Sequence, residues 1–347
     1  MKPIMIAALS VSFACIRLQG QPTAVAALEG YDPVLLTEGK EVPGKDTLQE
    51  RHGRFTYQFS TEETRAKFHK DPARYEIQLE GACARMGAPV SGSPDSYTVH
   101  EGRIYIFGSS ECYKQFVKDP AKYLEPKPAS NWVPSAEGAA RARKALGRAV
   151  AGLNGVSSFV EVRHESSNGR ERDETRIARP PEAFRATTQD GQRQFGSLID
   201  KTGGLQIFND QARRMPPSFA ATARAGFMHD LVTVLVATNS PTTKLDLEDK
   251  VRVKVLVDGV ENVLHLDPET GRIASMTYRG RVPGGTWGVI RITYSDYKDA
   301  GGVQLPYRAE MTVEGQSDSR SWIVQRYVLN PPDIEARLAP PAKVQEN

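Results

Sequence analysis

One segment of the chain occurs twice with few changes. Phe68-His-Lys-Asp-Pro-Ala-Arg-Tyr75 returns as Phe116-Val-Lys-Asp-Pro-Ala-Lys-Tyr123, and each copy follows a run in which aromatic or aliphatic residues alternate with polar ones. A repeat with this spacing is typical of one supersecondary unit that is duplicated and packed against its copy. The duplication therefore predicts a first domain built from two similar units.

Each unit carries the signals of a strand followed by a short helix. The alternation from Phe55 to Phe59, and again from Ile104 to Phe107, predicts a half-buried strand. Pro72 and Pro120 predict the ends of the two helices, because the residue before a proline is disfavoured in the helical conformation.

The first unit opens with Ala27-Leu-Glu-Gly-Tyr-Asp-Pro-Val34. This segment, the strand and the Phe-x-x-Asp-Pro-x-x-Tyr helix together resemble the exported type of the YHS-domain family. The second unit resembles metal-binding members of that family through Cys83-Ala-Arg-Met-Gly87 and Cys112. Another cysteine of the family pattern, expected near Phe107-Gly-Ser109, is absent. The resemblance covers residues 26–125 and implies a small tandem YHS-like α/β domain.

Cys83 and Cys112 allow three interpretations. A disulfide or a shared metal requires that their Cα atoms lie within about 7 Å of each other. Two cysteines in an oxidising compartment most often form a disulfide. Alternatively, Cys83, Met86 and Cys112 form a soft-metal site, since thiolate and thioether ligands prefer Cu(I). Cys112 is predicted in the first turn of a helix, where the helix dipole lowers the pKa of a thiol. The third interpretation is a buried, unbonded thiol pair.

The N-terminus has the pattern of an export signal. A short basic start precedes an apolar stretch from Ile4 to Ile16, and the segment Arg17-Leu-Gln-Gly20 ends in a small residue before Gln21. We expect residues 1–20 to be cleaved after Gly20, with a lipoprotein signal at Cys15 as the alternative. The stretch is too short for a stable transmembrane anchor, so a periplasmic or secreted location is predicted.

Composition and motifs narrow the functional class. Hydrophobic residues make up 39% and charged residues 25% of the 347 residues, which is typical of globular domains. The formal net charge is +3 and the basic residues are scattered, so no nucleic-acid partner is predicted. The sequence lacks the nucleophile-elbow, zinc-protease, P-loop and dinucleotide-binding motifs, which argues against an enzyme. It predicts no particular oligomeric state.

A proline-rich linker, residues 126–135, separates the first domain from a second domain at 136–340. One amphipathic helix is expected to start at Ser135–Gly138 and to end near Gly152, and one apolar helix is expected from Pro216 to Thr238. Strands are predicted at Ser158–Glu165, Arg172–Ala178, Val251–Val257, Val260–Leu266, Ile273–Tyr278, Thr286–Tyr294, Tyr307–Val313 and Trp322–Leu329. We therefore expect an α+β protein whose second domain is a curved antiparallel sheet, a half-barrel, covered by helices.

The second domain resembles the periplasmic lipoprotein-carrier (LolA/LolB-like) superfamily of outer-membrane lipoprotein-sorting proteins. The resemblance rests on this order of helices and strands and on four turn segments, which are Asp267-Pro-Glu-Thr-Gly-Arg272, Tyr294-Ser-Asp-Tyr297, Gly302-Val-Gln-Leu-Pro306 and Leu329-Asn-Pro-Pro332. It implies that the sheet and its helices shelter an apolar small molecule or the acyl chains of a lipidated protein.

The candidate ligand site is the apolar helix and the strands that face it. Its predicted residues are Phe227, Leu231, Leu235, Trp287 and Trp322. They form either a filled core or a cleft for an apolar ligand. The leading hypothesis is an exported, non-catalytic binding protein without a cofactor. The alternatives are a copper or thiol redox module in the first domain and a structural or interaction protein of the cell envelope.

Overall fold

The computed structural model describes residues 25–88, 90–124, 132–167, 169–209, 211–317 and 319–345. The predicted export signal at 1–20, and residues 126–131 of the predicted linker, lie outside these ranges. Two small sheets occur in the N-terminal part and one large sheet in the C-terminal part.

Each of the two repeated units forms a β-hairpin followed by a helix. In the first unit, β2 (Lys45–His52) pairs with β3 (Phe55–Phe59) and α2 (Glu62–Lys70) follows. In the second, β4 (Ser93–His100) pairs with β5 (Arg103–Phe107) and α4 (Ser110–Lys118) follows. The remaining elements here are β1 (Val25–Ala26), α1 (Pro33–Thr37), α3 (Pro72–Tyr75) and the 3-10 turns Leu28–Gly30, Gln78–Gly81 and Pro120–Lys122.

Local sequence signals explain why the two helices correspond. The Thr61 side chain accepts a hydrogen bond from the Thr64 backbone N–H (3.2 Å), and Ser109 does the same for Cys112 (3.2 Å), so a hydroxyl caps each helix. Both helices end two residues before the predicted proline. Phe68 and Phe116 take equivalent positions and are completely buried.

Asp32 joins the first turn of the domain to its first hairpin. Its carboxylate is buried and accepts hydrogen bonds from the backbone N–H groups of Val34 (3.0 Å) and Leu35 (3.3 Å) at the start of α1. The other oxygen accepts from the Ser60 backbone N–H (2.7 Å) and hydroxyl (2.8 Å) and from the Thr64 hydroxyl (2.6 Å). One side chain thus fixes α1 against the junction of β3 and α2.

The C-terminal part is a long meander. Its strands are β6 (Phe159–Ser167), β7 (Arg170–Arg179), β8 (Ala183–Asp190), β9 (Arg193–Asp200), β10 (Gly203–Phe208), β11 (Gln211–Arg214), β12 (Lys244–Leu247), β13 (Arg252–Val257), β14 (Val260–Leu266), β15 (Ile273–Arg281), β16 (Trp287–Asp299), β17 (Gln304–Val313), β18 (Ser319–Leu329) and β19 (Val344–Gln345). Its helices are α5 (Ala136–Leu146), α6 (Pro217–Met228), α7 (Leu231–Ala237) and α8 (Ile334–Leu338).

The described strands from β6 to β19 form one sheet in the order β12 to β18, then β6 to β11, then β19. Neighbours are antiparallel except β11 and β19, which are parallel. The pairing of β18 with β6 joins the last long strand to the first. The predicted α+β class with a large antiparallel sheet is confirmed at this level.

The apolar segment predicted as one helix from Pro216 to Thr238 is two helices, so that prediction was wrong. The Asp230 side chain accepts a hydrogen bond from the Thr233 backbone N–H (3.0 Å) and starts a new helix, α7. The axes of α6 and α7 differ by 83°. No single helix of the described ranges is long and apolar enough to cross a membrane, although this bent pair reaches that length and composition when its parts are added.

The strands β8 to β11 were not predicted. Their inward positions include the small or polar residues Ala186, Thr188 and Ser197, so the apolar alternation that marks the other strands is weak. The helix α5 is also shorter than predicted, because it ends at Leu146 rather than near Gly152.

Both faces of the sheet's centre are covered. On one face α7 is buried along its whole length and packs with α5, α6 and the strands into the main core. On the other face Leu338 of α8 packs with Val160 and Ile177 of β6 and β7. Val160 and Glu161 of β6, which point to opposite faces, are therefore both shielded from water.

Candidate ligand cavity

A cavity of about 330 Å³ lies between the sheet and the bend from α6 to α7. Its volume falls at the lower end of the range that is usual for small-molecule sites. Its larger apolar lining residues are Phe227, Leu231, Val232, Ile292, Met311 and Trp322. Its charged lining residues are Glu161, Arg163, Glu174, Arg176, Asp230 and Arg320. The cavity therefore combines apolar walls with an ionic cluster.

Three of the five predicted ligand residues line this cavity, namely Phe227, Leu231 and Trp322. Leu235, one turn further along α7, is 2% exposed and belongs to the filled core instead. Trp287 stands at the start of β16, where its ring lies 5.4 Å from the Arg281 guanidinium, and it does not line the cavity.

The charged residues were missed by the sequence analysis. Glu161, Arg163 and Glu165 occupy alternate positions of β6 and are all buried, whereas Val160 belongs to the core cluster on the α8 side. Period-two alternation predicts one buried and one solvent-exposed face, and charged residues are expected on the exposed face. The available signal was three charges of alternating sign, at a spacing of two, in a strand that is also apolar on its other face.

Arg163 is the centre of the ionic cluster. Its Nε donates to Glu174 Oε2 (2.9 Å) and its Nη2 donates to Glu165 Oε1 (2.8 Å) and also to Glu174. A weaker bond runs from Nη1 to Glu161 Oε1 (3.5 Å). The guanidinium also lies 4.8 Å from the centre of the Trp322 ring. Arg163 therefore has its bonding capacity largely used by the protein itself.

Arg176 and Arg320 flank this centre on the neighbouring strands β7 and β18. Arg176 Nη1 donates to Asp230 Oδ2 (2.6 Å), and its guanidinium lies 5.2 Å from the centre of the Phe227 ring. Arg320 Nη2 donates to both carboxylate oxygens of Glu165. The Nε atoms of both arginines are buried and have no hydrogen-bond partner. Each arginine thus keeps unused donors.

Burial and neighbouring charges shift the pKa values of the cluster in opposite directions. Burial, followed by the charge of Asp230, raises the pKa of Glu161 to about 7. For Glu174 burial acts in the same direction, but the charges of Arg163 and Arg176 outweigh it and lower its pKa to about 2. Near neutral pH, Glu174 is ionised while a substantial fraction of Glu161 carries a proton.

His229 closes the cavity at the bend between α6 and α7. Its ring stacks on Tyr278 with 3.6 Å between the centroids, and Nδ1 lies 2.8 Å from Asn262 Oδ1. Because Asn262 Oδ1 accepts, this contact favours the neutral tautomer with the proton on Nδ1. Burial lowers the pKa of His229 to about 4. The imidazole is uncharged at neutral pH.

The predicted metal residues lie together in the second repeated unit. Cys83 and Cys112 are both buried and unbonded, and they belong to the same buried cluster as Phe107 and Phe116. Arg85 Nη1 lies 3.4 Å from Met86 Sδ and 3.8 Å from Cys112 Sγ. Among the described residues, no three His, Cys, Asp or Glu side chains are placed to hold a metal ion.

Cys112 has the more reactive environment of the two thiols. Burial raises its pKa, but hydrogen bonds with Ser109, Arg85 and Cys83 outweigh that effect, and the net pKa is below the ordinary thiol value. Its position in the first turn of α4 was predicted. The contribution of Arg85 was not.

No protein-family model matches the chain, and no curated protein matches it. The YHS resemblance therefore stays a prediction.

Among solved structures, a LolA superfamily protein from Nitrosomonas europaea matches with 11% identity over 56% of this chain and 96% of its own, at a TM-score of 0.39. A domain assigned as an outer membrane lipoprotein-sorting protein from Vibrio parahaemolyticus matches with 11% identity over 58% and 97%, at 0.33. A DUF1329 family protein from Desulfovibrio piger matches with 8% identity over 57% and 94%, at 0.32. These values describe a distant likeness to just over half of the chain.

Proposed function

We propose that this protein is an exported, non-catalytic carrier that holds a small amphipathic ligand in the cavity beneath α6 and α7. The supporting observation is the pairing of apolar walls with an ionic cluster inside one space of about 330 Å³. An entirely apolar core would be filled at this point, since empty volume among apolar side chains is destabilising. The apolar body of the ligand would contact Leu231 and Trp322, and its polar end would face the charged cluster.

The roles of the charged residues favour binding over catalysis. Arg163 is saturated by three carboxylates, and Asp230 is engaged by Arg176 while it caps α7. Groups that are fixed in this way orient a ligand and are poorly placed to exchange protons with it. An apolar small molecule or a lipid-attached group suits the predicted export and the resemblance to lipoprotein carriers.

Titration with N-phenylnaphthylamine, a neutral apolar dye that fluoresces when it leaves water, tests the apolar part of this proposal. Two leucines of α7 form a matched pair, since both are buried in the main core but Leu231 lines the cavity and Leu235 does not. Leu231→Trp should fill the cavity and weaken dye binding by about tenfold or more with little loss of stability. Leu235→Trp should overpack the core and destabilise it by about 1–3 kcal/mol.

Equal destabilisation by the two substitutions, together with no dye binding to the parent protein, would mean that the space is not a ligand site. The structural or interaction role in the cell envelope would then be the better hypothesis. Dye binding that Leu231→Trp leaves unchanged would place the apolar site elsewhere in the chain.

The second candidate function is a soft-metal or thiol module formed by Cys83, Met86 and Cys112. It is favoured by the contact of Arg85 with both the thioether and the Cys112 thiol, and by the lowered pKa of that thiol. Copper(I) competition against a chromogenic chelator tests it. Cys112→Ser should abolish copper binding and Met86→Leu should weaken it. Cys15 should not contribute, because it belongs to the predicted signal. Parent protein that never removes copper from the chelator would eliminate the metal version.

A further inference from the structure

Arg176 lines the cavity and has few hydrogen-bond partners for its donors. Its side chain is 14% exposed, yet among the described residues it donates a single hydrogen bond, from Nη1 to Asp230. A guanidinium carries five N–H groups, and the Nε–H of Arg176 is buried without an acceptor among the described residues. Glu174 Oε1 lies 3.8 Å from that Nε, beyond hydrogen-bond distance.

Arg163, on the adjacent strand, differs from Arg176 in its hydrogen bonding. It donates hydrogen bonds from all three of its nitrogen atoms. Both residues line the cavity. Buried polar groups are nearly always satisfied by a partner. The unused donors of Arg176 therefore point to an acceptor that enters the cavity from outside the chain.

The charge of the cluster decides what kind of acceptor fits. Arg163, Arg176 and Arg320 face the carboxylates of Glu165, Glu174 and Asp230, so these opposite charges balance without any ligand. Glu161 is a fourth acid at the same place, and burial together with Asp230 favours its protonated form. A further buried anion would be left without a balancing charge, and burying such a charge is far more costly than burying a neutral acceptor.

Building on the proposed function, we infer that the polar end of the ligand is an uncharged oxygen acceptor, the carbonyl of an amide or ester, which accepts hydrogen bonds from Arg176. The guanidinium also lies 5.2 Å from the centre of the Phe227 ring, so the donors stand beside an apolar wall of the cavity. An acyl chain that ends in an amide or ester carbonyl matches both parts of the cavity. The apolar chain lies along Leu231 and Trp322, and the carbonyl reaches Arg176.

Displacement of N-phenylnaphthylamine by three compounds with the same alkyl chain tests this assignment. The compounds are N-methyldecanamide, decanoate and decylamine, which carry a neutral, a negative and a positive end. At neutral pH the amide should bind about tenfold or more tightly than either ion. Tightest binding of decanoate would instead make the natural ligand an anion and overturn the inference. Tightest binding of decylamine would overturn it as well.

Substitution of Arg176 identifies the donor. Arg176→Lys keeps the charge beside Asp230 but loses the forked donors, and Arg176→Gln supplies a second variant in case lysine disturbs the fold. Either should weaken the amide about tenfold and change the affinity of the dye less than twofold. Arg326→Gln is the matched control, because Arg326 is exposed on β18 and should have no effect.

The outcomes separate this inference from the proposed function. If the dye and all three compounds fail to bind, the proposed function itself is wrong. If the dye and the amide bind but the amide is indifferent to both Arg176 variants, the carrier function stands and Arg176 is not the donor. Loss of amide binding on Arg320→Gln alone would move the polar end to the other side of the cluster and overturn the assignment to Arg176.

Discussion

Arg281 Nη1, on β15 of the large sheet, donates a hydrogen bond to the backbone carbonyl of Arg85 (3.1 Å), in the loop between Cys83 and Met86. The same nitrogen donates to the carbonyl of Gly285 (2.8 Å), which ties the loop to the β15–β16 hairpin. A Cβ on Gly285 would lie 2.2 Å from the Arg85 carbonyl oxygen, so only glycine permits this approach. The loop between Cys83 and Met86 is thus held to the large sheet by the Arg281 side chain and by the close approach of the Gly285 and Arg85 backbones.

Arg281→Gln should make Cys112 more accessible to thiol reagents. The reason is that the Arg85 backbone loses its anchor while the Arg85 side chain is the group that lies against Cys112 Sγ. The rate of reaction with a chromogenic disulfide reagent should rise about threefold or more. Arg279→Gln is the control, since Arg279 lies exposed on the same strand. Identical rates in both variants would show that the contact does not restrain the loop.

Asp32→Ala should destabilise the N-terminal domain by roughly 2–4 kcal/mol, because the buried carboxylate caps α1 and also binds Ser60 and Thr64. Denaturant unfolding followed by near-ultraviolet circular dichroism measures the change. Asp46→Ala is the matched control. Asp46 is exposed and accepts one hydrogen bond from Gln58, so its loss should cost less than about 0.5 kcal/mol. Similar losses for both aspartates would contradict the role assigned to Asp32.

His229 should make the protein less stable as the pH falls from about 6.5 to about 4. Its pKa in the folded state is about 4, below the ordinary value of 6.5, because burial disfavours the charged ring. The unfolded chain therefore binds more protons in this window, and acid favours unfolding by up to about 3 kcal/mol. His229→Gln should remove that part of the acid sensitivity in urea unfolding measured at several pH values.

His164 serves as the control, because its pKa is shifted in the opposite direction from that of His229. It is exposed, and its hydrogen bond with Asp173 is the main cause that raises its pKa. Its contribution to stability is present at low pH and is lost as the pH rises through that pKa, so His164→Gln should not reduce acid sensitivity. Parallel pH profiles for the parent protein and His229→Gln would mean that His229 is not buried as described.

The parts of the fold that were predicted are those with local signals. The helices of the two repeated units have a hydroxyl at one end and a proline past the other, as with Ser109 and Pro120, and neither signal depends on distant residues. The break before α7 also has a local cause, the Asp230 cap, but the apolar residues on both sides of it concealed the signal.

Only part of the candidate site was predicted from the sequence. The reason is that its apolar and its charged residues follow different rules. Phe227 and Leu231 were recognised from hydrophobicity alone. Arg163 and Glu165 were not, since their burial results from α6 and α7 covering one face of β6 while α8 covers the other. Only the tertiary arrangement shows that the face of β6 that carries Glu161, Arg163 and Glu165 is buried.

The seam between β18 and β6 also sets an order of events during synthesis. Glu165 of β6 is bound by Arg320, which the ribosome adds 155 residues later, and Trp322 is supplied by the same late strand. Contacts between positions so far apart form slowly, because a long loop must close first. Until β18 emerges, β6 lacks one of its two neighbours, and the cavity lacks an arginine and an aromatic wall. The walls of this cavity are therefore incomplete until the last long strand is in place.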